Sequence, residues 1–422
     1  MRADVAIVGA GTAGAAAAVL CARAGLSVVC VERRALGEAG ARWVNGVAGW
    51  CFDEAGLERP RGAELRDAGA PFHLVAGWGP RRITVAEHDV LGVDMRLLVA
   101  RLQRLAQEAG ATLIGTRRVT GLDARGLSTD GERIEARVVV DASGLGGCGL
   151  LGTPKPAPRD VCAAAQQVRR VKDAAAARAF FEEHAAEPGE TLCFTGVAGG
   201  YSIVNVRLDD DGVSLLTGSI PADGHASGLR LLDDFVAKQP WIGEVLFGGS
   251  RAIPLARPHD RLASERVALL GDAACQVFAA HGSGIGSGLV AARVLADALG
   301  GTGDPRRYAV AWMRRWGGLH AGYELLRRFS QRLGPGDVER LMSSGLLDAD
   351  TAKAGMEQRF PALGIGAARR LAALLREPSL ARRMARVGVR LAAAQALYAR
   401  YPERAGALRA WSRIAGACLG SD

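Results

Sequence analysis

The stretch that most constrains this chain is DVAIVGAGTAGAAAAVLCARAGLSVVCVE, residues 4–32. DVAIVG is a continuous apolar run, the pattern of a parallel strand covered on both faces. GAGTAGAAAAVLCARAG reads as a helix that opens on small residues and closes near a glycine. LSVVCVE is a second buried strand ending on an acid, Glu32. The turn between strand and helix fits GxGxxG with the context that gives this pattern meaning: a strand before it, a helix after it, an acid ending the next strand. Gly9 permits the tight turn, Gly11 lets a pyrophosphate approach the backbone, and Gly14 allows close helix–strand packing. The helix N-terminus then offers unpaired N–H groups and a positive dipole end to the phosphates. Glu32 suits ribose hydroxyls and repels a phosphorylated ribose. The expected cofactor is therefore FAD or NAD rather than NADP.

The rest of the chain extends this α/β beginning. MRLLVARLQRLAQEAG carries apolar residues at helical spacing and feeds the strand ATLIG. RVVVDASG, 137–144, is a strand followed by a glycine turn. From about 160 to 250 the texture becomes antiparallel. CFTGVAGGYSIVNVRLDDDGVSLLTGSI holds alternating strands around an Asp-Gly turn, beside a helical DAAAARAFFEEHAAE. RVALLGDAA returns to the buried-strand style, and nearly everything after 306 reads as helix. The expected fold is α/β, strictly an α+β composite: a Rossmann-like domain, an inserted antiparallel-sheet substrate domain, and a helical C-terminal tail. The cofactor domain is expected from 1–75, 95–158 and 250–305, the substrate domain from 76–94 and 159–249, and the helical region from 306–422.

Composition excludes several classes. The 422 residues are about half apolar, ample for a large core, with no run of eighteen apolar residues to span a membrane. No secretory signal is legible, so the expected location is cytoplasmic. Only four of the 53 basic residues are lysine, and the formal charge is +9. A basic solvated surface explains that charge, and no nucleic-acid-binding signature accompanies it. The eight cysteines form no CxxC pair and the seven histidines no ligand spacing, so reduced thiols and no metal are expected. The tail segment AARRLAALLREPSLARRMARVGVRLAAAQALYARY alternates arginines with apolar residues. Such a face ordinarily covers a core; the sharper reading is peripheral contact with an anionic membrane.

A third segment, GDAACQVFAAHGSGIGSG at 271–288, joins GAGTAG and VVVDASG at 138–144. In their order and separation the three resemble FAD oxidoreductases of the geranylgeranyl reductase and p-hydroxybenzoate hydroxylase type. The resemblance spans about 300 residues and implies FAD. It implies cofactor contacts from Gly9, Gly11, Thr12, Ala13, Gly14, Glu32, Arg33, Arg42, Asp141, Gly144, Gly271, Asp272, Gly282, Gly284 and Ile285. Asp272 resembles the acid near the ribityl–pyrophosphate part. The glycines after it imply a bare helix entrance against the flavin pyrimidine edge, where a positive helix end stabilises negative charge. Two positions depart from the family: Ala279 stands where proline is usual, and Gly286 where asparagine is frequent.

The resemblance leaves the reaction open. Reduction of a C=C bond by hydride from reduced flavin is the lead reading for an apolar, isoprenoid-like or aromatic substrate. A flavin monooxygenase, hydroxylating or epoxidising, is the alternative. A halogenase fits less well, because no lysine precedes Lys155 and GYSIVNV lacks the tryptophans of WxWxIP. A non-redox cyclase or binding protein is the remaining reading. The catalytic candidates are His281 and Tyr201 for proton transfer and Cys51 as a proton donor; each also reads as a packed core residue. Asn45 is a candidate for bonding a flavin edge and Arg42 for contacting flavin or an anionic substrate, and Cys275 reads as structural. Transient NAD(P)H or another external donor, an electron-donor protein or a flavin reductase, is expected to supply electrons.

Overall fold

A computed structural model describes residues 1–210, 212–362, 365–376 and 378–420. Strands and helices are numbered along the chain. The first 7-stranded sheet runs β8 (Thr112–Ile114), β2 (Val28–Val31), β1 (Arg2–Val8), β11 (Ile134–Asp141), β10 (Gly126–Thr129) and β9 (Val119–Asp123). A short β17 (Val267–Leu269) pairs in parallel with the end of β11. Its inner strands are parallel and apolar on both sides, as the runs VAIV and VVCV require. Helices α1 (Thr12–Arg23), α3 (Met95–Glu108) and α6 (Ile285–Thr302) cover one face. The buried run Ala15–Ala18 keeps α1 thin enough for α6 to pack closely on it.

The second 7-stranded sheet has the order β16-β12-β15-β14-β13-β5-β6. Its strands are β5 (Phe72–Ala76), β6 (Arg82–Val85), β12 (Val161–Val171), β13 (Thr191–Thr195), β14 (Ser202–Asp209), β15 (Gly212–Ser219) and β16 (Ile242–Pro254). All pairs are antiparallel except β13 with β5. The hairpin expected at DDDG forms, with Asp209 opposite Gly212; Asp211 lies outside the described residues. This sheet takes in Phe72–Ala76 and continues to Pro254, beyond the limits of 76 and 249 expected for the substrate segments. The reason is pairing: Phe72 is opposite Thr191, and Pro254 is opposite Val161. One face buries Phe194, Val204 and Leu215 beneath Phe181 of α4 (Ala174–Glu183) and Phe235 of α5 (Gly228–Val236).

A 3-stranded sheet, β3 (Val44–Ala48), β7 (Val90–Asp94) and β4 (Leu65–Ala68), lies between the two larger ones. The short helix α2 (Trp50–Ala55) follows β3 and packs on α6. The C-terminal region comprises α7 (Pro305–Trp312), a π-helical turn over Met313–Gly317, α8 (Gly318–Gln331), α9 (Pro335–Ser343), α10 (Ala349–Met356), α11 (Ile365–Arg376), α12 (Pro378–Ala399) and α13 (Ala405–Leu419). Trp312, Tyr398 and Trp411 are buried where this region joins the main core. Among the described residues no helix is long and apolar enough to cross a membrane, and no cluster of metal-ligating side chains occurs.

Candidate active site

The dinucleotide turn sits at the carboxyl ends of β1, β2 and β11, where open α/β sheets take ligands. Gly9 has φ +99°, and a Cβ there would lie 2.5 Å from the Ala142 carbonyl oxygen. A Cβ on Gly14 would lie 1.8 Å from the Gly9 carbonyl oxygen. Both positions therefore need glycine before any ligand is considered. The α1 N-cap is Gly11, with no side-chain cap, so the first-turn N–H groups of Thr12, Ala13 and Gly14 face outward unclaimed by a side chain. Glu32 accepts from Ala10 N at 3.0 Å and Arg34 N at 3.1 Å. Each carboxylate oxygen keeps a further lone pair for a ribose hydroxyl. A bare turn, an uncapped helix end and a braced acid fit FAD.

The 271–288 segment resolves into individual reasons for its glycines. Gly282 turns the chain at φ +70°. A Cβ on Gly284 would stand 2.9 Å from an Asp272 carboxylate oxygen, and one on Gly288 3.1 Å from the Ala13 Cβ. A Cβ on Gly286 would stand 2.6 Å from the Cys51 sulfur. Only Gly282 and Gly284 precede α6, which starts at Ile285 with Gly284 as an N-cap that has no side chain. The later pair lets α1 and α2 approach α6. Ile285 is half-buried against the main core, and Gly271, at φ +66°, packs beside Ala13. Asp272 is held above the usual carboxylate range by burial, opposed by the Arg251 charge.

The other sequence candidates fall as follows. Asp141 is buried and accepts from Ser143 N (3.2 Å), Ser143 Oγ and Leu150 N (3.1 Å), so it organises its own loop up to Leu150. Gly144 follows at φ +82° with open space around it. Arg33 and Arg42 are exposed, and Arg42 donates to the Gly37 carbonyl. Asn45 is half-buried on β3. Cys51 packs into α6, away from the sheet interior, and burial raises its thiol. Cys275 has a left-handed backbone, φ +53°; burial pushes its thiol up to about 12, and its sulfur lies 3.5 Å from His259 Nε2. His281 is pushed down to about 4 by burial, and its Nε2 has no hydrogen-bond partner among the described residues.

Tyr201 lies where the second sheet meets the flavin-type loop. It packs with Cys162, Ile220, Leu255, Val277 and Ala279. Its hydroxyl would be 3.5 Å from a Cβ on Gly282. Burial raises that hydroxyl well above its ordinary range. It is 8% exposed and stays protonated.

Side chains alternate across strands, so the sheet face opposite α4 and α5 can be read in transverse rows. Beyond the row of Ile253, Cys162, Ile220 and Tyr201 lies Arg251–Ala164–Gly218–Ile203–Thr195. Next comes Gly249–Gln166–Leu216–Asn205–Cys193, then Phe247–Val168–Ser214–Arg207–Thr191. Successive rows are about 6.7 Å apart. The 3-stranded sheet roofs this floor. Arg207 pairs with Asp67 of β4 at 3.0 Å, Arg96 lies 3.6 Å over the Phe247 ring, and Arg251 donates to the Gly40 carbonyl. The roof is bare at Gly46 and Gly92, which pair with each other. Gly46 and Gly249 are exposed. The floor passes from apolar beside the loop, through the amides of Gln166 and Asn205, to the ion-paired Arg207.

Sequence reasoning missed Arg251, Trp43 and His320. Arg251 comes from the substrate sheet yet senses Asp272 and Glu32 electrostatically, and burial lowers its pKa. Trp43 packs against Gly249, with its buried indole nitrogen unpartnered among the described residues. Strand parity would have put Arg251 on the same face as Ala164, but only register joins that face to the cofactor turn.

A family model described as FAD dependent oxidoreductase matches residues 4–153. A digeranylgeranylglycerophospholipid reductase from Methanothrix thermoacetophila is 28% identical, over 82% of this chain and 91% of its own. The crystal structure of a geranylgeranyl bacteriochlorophyll reductase-like protein from Thermoplasma acidophilum superimposes with TM-score 0.70 at 18% identity, over 88% of this chain and 96% of its own. A mutant of the halogenase PltM in complex with FAD gives TM-score 0.62 at 14% identity, over 99% and 95%. The halogenase likeness is one of fold alone, whereas the reductase likeness extends through the sequence. The chain is an FAD-dependent oxidoreductase, similar in sequence to digeranylgeranylglycerophospholipid reductases and in fold to the geranylgeranyl bacteriochlorophyll reductase-like protein.

Proposed function

We propose that this enzyme reduces a C=C bond in an apolar, isoprenoid-like substrate held between the 3-stranded roof and the floor of the second sheet. The observation that carries the reading is Tyr201. It is a protonated acid in an otherwise apolar row, beside the glycine loop that leads to α6. Reduction of a C=C bond needs a hydride on one carbon and a proton on the other. When bound, reduced FAD supplies the hydride. Tyr201 gives its hydroxyl proton to the second carbon and regains it from solvent. Thr12, Ala13 and Gly14 hold the pyrophosphate through backbone N–H groups, and Glu32 the ribose. Electrons return from NAD(P)H or another external donor. The digeranylgeranylglycerophospholipid reductase relative supports an isoprenoid chain as the acceptor.

The test is single-turnover oxidation of photoreduced holoprotein by geranylgeraniol without oxygen. The expected result is reoxidised flavin and a product two mass units heavier. Oxygen-18 in a product formed under labelled oxygen would establish the monooxygenase alternative instead.

A further inference from the structure

His320, on α8 in the C-terminal region, touches both ends of the glycine loop. Its Nδ1 lies 3.1 Å from the Val277 carbonyl oxygen, and its Nε2 lies 3.3 Å from Ser287 Oγ in the first turn of α6. The ring is buried beside Trp312, at 5.0 Å between centroids. A carbonyl can only accept, so Nδ1 carries the proton and Nε2 accepts. Ser287 must therefore donate to His320. Its oxygen is then free to accept from Gln358, 3.3 Å away. This assigns the Gln358 amide with its nitrogen toward Ser287, giving a partner to a buried N–H donor that otherwise has none. Gln358 itself is held at φ +56°, a left-handed backbone unusual for a residue with a side chain.

The consequence falls on α6. Its N-cap, Gly284, has no side chain, and the Ser287 hydroxyl is drawn away to α8. The N–H groups of the first turn are thus left for an external acceptor. The segment between Val277 and Ser287 contains Gly282, Gly284 and Gly286, a composition that would otherwise leave the loop many conformations. We propose that His320 is a positioning residue for the flavin: it staples Val277 to Ser287 and so aims the α6 N-terminus at the pyrimidine edge of the cofactor. The proposal rests on the cofactor placement given above.

The test compares FAD holoproteins by midpoint potential. A helix N-terminus stabilises the negative charge of the reduced cofactor, so loosening it lowers the potential. For His320→Leu the preference for reduced over oxidised FAD should fall at least about tenfold, which is about 30 mV for a two-electron couple. His320→Gln, which can still donate to Val277 and accept from Ser287, should recover most of that shift. Ser287→Ala removes one hydroxyl with little risk to the fold and should shift the potential the same way. An unshifted potential in both Ser287→Ala and His320→Leu overturns the staple, as does a His320→Gln shift equal to that of His320→Leu. A wild-type protein that takes up no FAD overturns the cofactor placement and the staple together.

Discussion

Cys51 and Gly286 occupy one space: a Cβ on Gly286 would stand 2.6 Å from the Cys51 sulfur and 3.1 Å from its Cβ. Both atoms belong to short, buried α2, so neither can swing aside freely. This contact accounts for glycine where the family often has asparagine. Gly286→Ala should gain about 1 kcal/mol of helix propensity and lose about 1–3 kcal/mol to overpacking. The expected net effect is destabilisation, reversed when Cys51→Ala is added. Denaturant midpoints of the four proteins in the cycle read the coupling. Independence of the two substitutions would show that the helices are not locked at this point.

The glycines of the first turn should separate fold from cofactor. Gly14→Ala drives a methyl to 1.8 Å from the Gly9 carbonyl oxygen and should cost the fold itself. At Gly11 the nearest atom to a new Cβ is the Gly40 Cα at 3.2 Å, a milder clash. Gly11→Ala should therefore fold and weaken FAD by about tenfold, since the pyrophosphate must pass this atom. Fluorescence titration of the apoprotein with FAD measures this. Unchanged affinity would mean that the phosphates lie elsewhere.

Much of the first motif was legible because each glycine there has a local cause: a positive φ at Gly9, a helix–strand contact at Gly14. The third motif was less so. Its alternation suggests one bare surface against a ring, yet Gly286 and Gly288 answer to Cys51 and Ala13, residues more than 230 positions away. Arg251 and His320 carried no signal at all. One is brought to the turn by strand register, the other by packing of the C-terminal region, and neither relation is local in sequence. Asp141 illustrates the converse. Its DASG context points to the cofactor, while its carboxylate is engaged by its own loop.

Acid should loosen the loop before it unfolds the sheets. Burial holds His281 and His320 near 4, well below the ordinary 6.5, so the folded protein keeps them neutral while the unfolded chain protonates. Their contribution is fully present above pH 6.5 and is lost as pH falls toward 4. Asp272 and Glu324, both raised by burial, act in the opposite sense at the acid end. The difference between wild type and His320→Gln isolates one histidine. Its slope of stability with pH between 6.5 and 4 should be shallower in the variant. Parallel curves would mean that His320 titrates normally in the folded state.

Arg327 is wholly buried, at 0% side-chain exposure. It donates to Asp160 at 2.6 Å, to Glu324 at 3.2 Å, and to the carbonyls of Arg159 and Leu255, each at 3.2 Å. It thus ties α8 to the start of β12 and to the segment that ends β16. Arg327→Met would leave Asp160 and Glu324 facing each other with less compensation. The expected loss is about 3–5 kcal/mol, read by denaturant unfolding. A loss under about 1 kcal/mol would show that solvent reaches the cluster.

Tyr201→Phe bears most directly on the reaction. The ring remains in its apolar row with Cys162 and Ile220, so stability and FAD content should be unchanged. Only the hydroxyl beside Gly282 is lost. Reduction of the cofactor by its external donor does not use that proton and should keep its rate. Oxidation by substrate should slow about 100-fold or more, the usual contribution of a positioned general acid. In the wild type this step should also slow in deuterium oxide, and the variant should lose that sensitivity. Stopped-flow absorbance of the flavin follows both half-reactions in one sample. Equal rates for wild type and variant in the oxidative half-reaction would remove Tyr201 from the chemistry.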